Sequence, residues 1–135
     1  MKDCVFCKII NKEIPSITIF EDTYTMVFME LNPSAPGHLI VINKKHGYSI
    51  FEYETEDLGR MMETTKKVSK KVQKALSADS LTLGINHDEK NGVPHLHVHI
   101  IPRWDNDKGG IIQSIVNNKP KEDRETIAER IRSVN

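Results

Sequence analysis

Apolar and polar positions along the chain recur with periods that assign most of it to short elements. The clearest signal lies at 56–77, where Leu58, Met61, Met62, Thr65, Val68, Val72 and Leu76 fall near a 3.6-residue repeat and predict one long amphipathic helix. Thr55 is placed to cap it, with Glu56 and Asp57 in the first turn, where the helix dipole favours carboxylates. Residues 4–12 predict a short helix with Phe6, Ile9 and Ile10 on one side, stopped near Pro15. Residues 17–21 and 24–30 read as strands across a turn at 21–23, and 38–42, 80–86 and 95–101 as three more. Between them, 32–37 is a loop because two prolines and a glycine oppose any regular element, and 87–94 is a second loop. Beyond a Gly109-Gly110 break, 124–134 is a short amphipathic stretch with Ile127, Ile131 and Val134 on one side. A helix that short is marginal alone and is expected to dock somewhere.

The strand at 95–101 carries the unusual chemistry. Strict alternation sends Leu96, Val98 and Ile100 to one face and His95, His97 and His99 to the other. Neighbours on one face are about 7 Å apart and the outer pair about 13 Å. His95 and His99 are therefore too far apart to share one metal ion, whose ligands lie about 2 Å from it. Packing the apolar face on the 56–77 helix would leave the imidazoles lining a cleft. The plainer alternatives are a surface strip of titrating histidines or an adventitious metal-binding strand.

Composition narrows the setting. A chain of 135 residues is expected to form one core, and 19 basic against 19 acidic residues give no pull toward nucleic acid or an anionic membrane. Lys66, Lys67, Lys70, Lys71 and Lys74 read as the solvated face of the long helix. Lys8, Asn11, Lys12 and Glu13 interrupt the only apolar run near the N-terminus, so neither a signal peptide nor a membrane span is expected. Cys4 and Cys7 are too few for a disulfide scaffold, and their spacing fits a metal or redox role in a reducing compartment. The expectation is a cytoplasmic protein.

The run His95-x-His97-x-His99 followed by two apolar residues resembles the signature of the histidine triad (HIT) family of nucleotide hydrolases and transferases. "CVFCKIINKEIPSITIFED" is similar to the family's N-terminal helix and first strand, and "NPSAPGHLIVINKKH" to its central loop and strand. The match runs in order from Cys4 to about Arg103 and is nearest the branch of purine nucleoside phosphoramidases. The resemblance implies an α+β fold: a five-stranded antiparallel sheet, a short N-terminal helix, one long central helix and a C-terminal helical tail. Residues 1–110 would be the HIT domain, and 111–135 a tail packed on that domain or on a dimer partner.

The same resemblance divides the histidines between two tasks. Cys4, Cys7, His46 and His95 would hold a structural zinc ion that pins the N-terminal helix to the sheet. A redox pair is the other reading of the cysteines. His97 would be the nucleophile, forming a nucleotidyl-histidine that water releases as AMP or GMP. His99 would assist proton transfer beside the leaving group, and His38 would orient the cluster, although alone it reads as a core histidine. A neutral imidazole suits attack on phosphorus near pH 7, and its second nitrogen should donate to a fixed acceptor so that the lone pair is aimed. Asn86, with backbone donors around Gly92 and Val93, would meet the phosphate. Phe6, Ile9, Ile14 and Phe28 would surround the base, and Glu30 would take the ribose hydroxyls, although such apolar positions are often ordinary core. No organic cofactor is implied, and a homodimer is.

One stretch departs from the family pattern. "NHDEKNGVPH" is about two residues shorter than the usual loop and lacks its Gln and hydroxyl residue, leaving His87, Glu89 or Lys90 as the only candidates to compensate. Trp104 and 124–134 would shape the substrate mouth or a dimer interface. Three alternatives to a purine nucleoside phosphoramidase follow: a dinucleoside polyphosphate hydrolase, a nucleotide-binding module with weak catalysis, and a metal-dependent hydrolase using the histidine strip directly.

Overall fold

The computed structural model describes residues 3–135, so Met1 and Lys2 of the expected domain lie outside the described residues. Five antiparallel strands form one sheet: β1 (Thr18–Glu21), β2 (Thr25–Met29), β3 (Leu39–Asn43), β4 (Ser80–Gly84) and β5 (His97–Arg103), in the spatial order β1-β2-β3-β5-β4. Helix α1 (Val5–Ile10) lies against one face and α2 (Thr55–Leu76) against the other. The α+β architecture expected from the sequence is therefore present.

The pleat decides what each face receives. Val41 pairs with Val98 and Leu39 with Ile100, and these residues join Leu96, Met61, Val68 and Val72 in the core beneath α2. One residue out of phase, Ile40 pairs with His99 and Ile42 with His97. That face is covered by Cys4 and by Phe6 and Ile9 of α1, packed on Met26, Phe28, Ile40 and Ile42. Each fully buried aliphatic side chain contributes about 1.5–3 kcal/mol by leaving water. The alternation of β5 is thus held from both sides.

Several boundaries differ from the sequence reading. Glu54, not Thr55, occupies the N-cap of α2, without a side-chain hydrogen bond, and Thr55 is the first helical residue. Met62 and Leu76 lie exposed on the flank of α2, whereas Thr64 and Ser69 are buried, with Thr64 Oγ1 2.7 Å from Thr25 Oγ1. β4 stops at Gly84 rather than 86. β5 begins at His97 rather than 95, because the Leu96 amide donates to the Gly47 carbonyl and leaves the ladder one step early. A 3-10 turn over Ile50–Glu52 carries a full capping box between Ser49 and Glu52, a Ser-x-x-Glu signal that is present in the sequence.

The tail leaves β5 under restraint. The Arg103 guanidinium grips the Asp107 carboxylate at 2.7 and 3.1 Å, donates to Thr82 Oγ1 at 3.0 Å and reaches the Gly110 carbonyl. Beyond it, α3 (Arg124–Arg132) buries no residue within a single chain, and Ile111, Ile115, Ile131 and Val134 are exposed. Among the described residues no helix is long and apolar enough to cross a membrane.

Candidate active site

His95, His97 and His99 end in three different environments. The His95 ring is fully buried beneath α1, and its Nε2 lies 2.8 Å from the Asn43 carbonyl. A carbonyl only accepts, so Nε2 carries the proton and the Nδ1 lone pair points the other way. There it meets Cys4 Sγ at 3.5 Å and Cys7 Sγ at 3.6 Å, while His46 Nδ1 lies 3.2 Å from Cys7 Sγ. All four ligand atoms lie within 4.8 Å of one another. A tetrahedral zinc with ordinary Zn–S and Zn–N lengths sets its sulfur and nitrogen ligands about 3.5 Å apart. The four groups fit that requirement, and the Asn43 carbonyl supplies the outer contact that fixes a ligating imidazole. Cys4 also caps α1, accepting from the Cys7 amide, so helix and ligand pair form one unit.

His97 is oriented by its own strand. Its Nδ1 donates to the carbonyl of His95 at 2.7 Å, which fixes the tautomer and leaves the Nε2 lone pair for the pocket. The ring is largely buried, edge-on to Phe6 with centroids 5.1 Å apart. Its neighbour His99 lies 4.9 Å away, centroid to centroid.

His99 is set from behind. The Ser34 amide donates to His38 Nδ1 at 3.0 Å, so a neutral His38 carries its proton on Nε2, which lies 2.8 Å from His99 Nδ1. His99 accepts there and offers Nε2–H to the pocket. Burial, then the neighbouring imidazoles, lowers the His99 pKa to about 4, and burial also lowers that of His38. Burial likewise holds His95 at about 4. These rings are neutral near pH 7. Glu30 lies close to the pair, its carboxylate oxygen within 4.8 Å of a ring nitrogen of His38 and of His99, and acts against the burial.

The pocket served by these rings has a volume of about 390 Å³. Of the residues expected from the sequence, Phe6, Ile9, Phe28, Glu30, Asn86, Gly92, Val93, His97 and His99 line it. His38 lies behind His99 and does not. Ile14 is packed against the cluster that includes Phe6, Ile9 and Phe28 but does not line the pocket either. The sequence reading missed Val5, Leu31 and Asn32. Val5 sits beside Phe6 in α1, but Leu31 and Asn32 follow β2 in a loop where no periodic signal operates. Glu89, one of three candidates to compensate for the altered loop, also lines the pocket; His87 and Lys90 do not. The lining holds two carboxylates and neither lysine nor arginine. Gly84, paired with His99, puts no side chain beside that ring.

Comparison with known proteins places the chain in a family. The profile of a family described as the HIT domain matches residues 11–106. An uncharacterized HIT-like protein of Borreliella burgdorferi is 39% identical, with 82% of each chain covered. The adenosine 5′-monophosphoramidase HNT1 of Saccharomyces cerevisiae is 35% identical over 81% of this chain and 67% of its own length. The crystal structure of a zinc-bound histidine triad family protein from Mycobacterium smegmatis superimposes with a TM-score of 0.75 at 27% identity, covering 98% of this chain and 92% of that one.

Proposed function

The chain belongs to the HIT domain family and is a nucleotide hydrolase, and on that premise we propose that it cleaves purine nucleoside 5′-phosphoramidates at the alpha phosphorus, through a nucleotidyl-His97 intermediate. The observation that carries this reading is the 2.7 Å bond from His97 Nδ1 to the His95 carbonyl, which aims one imidazole lone pair into a pocket shared with His99. The His97 Nε2–phosphorus bond forms as the phosphorus–nitrogen bond breaks, and the departing pair of electrons goes to the amine nitrogen. That nitrogen takes up a proton from solvent while the Nε2–H of neutral His99 donates a hydrogen bond on the leaving-group side. Water then attacks phosphorus, the bond to His97 breaks with its electrons returning to Nε2, and the proton from water returns to solvent. His38 positions His99; Asn86 and backbone amides near Gly92 and Val93 hold phosphoryl oxygens. Phe6, Ile9 and Phe28 take the base, and Glu30 takes the ribose hydroxyls.

The lining supports a phosphoramidate over a dinucleoside polyphosphate. A polyphosphate leaving group brings several negative charges, and two carboxylates with no facing lysine or arginine oppose it. Zinc belongs to the proposal as a structural ion held by Cys4, Cys7, His46 and His95, tying α1 to the sheet. The tail from residue 111 is assigned to a homodimer contact, since a nine-residue helix with no buried side chain needs a partner surface.

The test is product analysis after incubation with adenosine 5′-phosphoramidate and, separately, diadenosine tetraphosphate, beside the His97→Ala variant. AMP from the first substrate, lost in the variant, is expected. Cleavage of only the second would move the protein to polyphosphate hydrolysis. Turnover of neither would make it a binding module.

A further inference from the structure

We propose that Glu89 sets the leaving-group preference of this site, making its outer end select amines that carry a second, positively charged group. The inference rests on the phosphoramidase reading and names the class of amine that reading leaves open.

The pocket has two unlike ends. Around α1 and β2 it is apolar, with Phe6, Ile9 and Phe28 suited to a base. At the other end stand Asn86, Glu89 and Gly92, on the loop between β4 and β5. A nucleoside at the first end and phosphorus at His97 leave the loop end for the departing group. Glu89 is held there by the turn itself. The Gly92 amide closes the turn onto the Glu89 carbonyl at 3.4 Å, and the side chain folds back over Gly92. A methyl group at Gly92 would stand 2.5 Å from Glu89 Oε2 and 2.7 Å from Cδ, so the glycine leaves the space that the carboxylate occupies.

Among the described residues neither lysine nor arginine forms an ion pair with Glu89 or lines the pocket. A substrate phosphoryl group adds a further negative charge close by. An ammonium on the leaving amine is attracted by both charges, and a carboxylate in the same place is repelled by both. For unit charges about 7 Å apart in a wet cleft, Coulomb's relation corresponds to roughly three- to eightfold in affinity or rate per pair. The shorter loop, lacking the amide and hydroxyl expected from the family pattern, thus presents a carboxylate on the side where the amine departs.

The experiment uses three adenosine 5′-phosphoramidates of equal reach, bearing N-(2-aminoethyl), N-propyl and N-(2-carboxyethyl) groups. kcat/KM is measured for wild type, Glu89→Gln, Glu89→Lys and Glu63→Gln, the last a charge-matched control on the exposed face of α2. Because the three amines differ in intrinsic reactivity, each variant is compared with wild type through the ratio of aminoethyl to carboxyethyl substrate. Two such pairs enter the ratio, one attraction lost and one repulsion relieved, so it is expected to fall roughly 10- to 60-fold in Glu89→Gln and further in Glu89→Lys, and to stay at the wild-type value in Glu63→Gln. It should also shrink in wild type as salt rises. An unchanged ratio in Glu89→Gln and Glu89→Lys, with turnover still dependent on His97, would overturn the inference and leave the phosphoramidase reading intact. Turnover that survives His97→Ala would instead defeat that reading. If wild type turns over none of the three, calorimetric affinities for the intact compounds supply the same ratio, and its insensitivity to Glu89 rejects the proposal.

Discussion

His38 and His99 are joined ring to ring, with Nε2 of His38 2.8 Å from Nδ1 of His99. The direction of the bond is imposed from outside the pair, by the Ser34 amide on His38 Nδ1. Replacing His38 by Phe keeps a ring in the space and removes the donor, so His99 is free to adopt the wrong tautomer. The expected result is a loss in kcat of about 100-fold, the low end of what a positioned group assisting proton transfer contributes, with the affinity for AMP changed far less. Single-turnover kinetics beside calorimetry separates the two. Equal losses in both would assign His38 to binding.

Acid should destabilise the fold through the same pair. The His99 pKa lies at about 4 in the folded chain against an ordinary 6.5, and burial is the main cause. Between those values the unfolded chain binds more protons than the folded one, so stability is complete above pH 6.5 and falls as the pH drops toward 4. The loss from this residue is on the order of 2 kcal/mol after allowance for its partial exposure. Urea midpoints taken from pH 7 to pH 4 should fall less steeply in His99→Gln than in wild type. Parallel curves would remove His99 as the source.

Metal content offers an independent check on the N-terminal site. Purified protein is expected to carry about one zinc per chain, and Cys7→Ser to lose it. Loss of metal should lower Tm and raise hydrogen exchange in α1 first, because Cys4 both caps that helix and belongs to the ligand set. Metal-free wild type with an unchanged Tm would leave the cysteines without a structural ion.

Gly37 tests the loop that carries His38. Its φ is +78°, in the left-handed region, and a methyl group there would stand 2.3 Å from Leu76 Cδ1. Gly37→Ala is therefore expected to cost about 1–3 kcal/mol in urea unfolding, and to disturb His38 next door. A stable variant with wild-type kcat would show that the loop can relax without moving the ring.

Much of this could be read from the sequence, and the remainder has a common physical character. Alternation in β5 is local, so the division between the Val98 and His97 faces was legible. The start of the strand was not, because the Leu96 amide leaves the ladder for Gly47, nearly fifty residues away in the chain. Grouping of Cys4, Cys7, His46 and His95 followed from family resemblance, and the distances agree with it. Tautomers were beyond sequence, since they depend on a carbonyl at His95, another at Asn43 and an amide at Ser34. Ile14 packs on the cluster that includes Phe6, Ile9 and Phe28 without itself lining the pocket, a distinction that sequence alone does not carry.

β5 has parity. Its first four residues, His97 to Ile100, alternate between the histidine face and the largely aliphatic core beneath α2. Gaining or losing a single residue between Leu96 and Ile100 would therefore send every residue on one side of the change to the opposite face unless a bulge absorbed it, placing histidines beneath α2 or aliphatic side chains in the site. The 85–94 loop answers to no such rule, because it joins two strands without belonging to either ladder. Changes of length in a scaffold of this kind can accumulate there and not in β5, so the outer end of the pocket is free to drift while the placement of His97 and His99 is fixed.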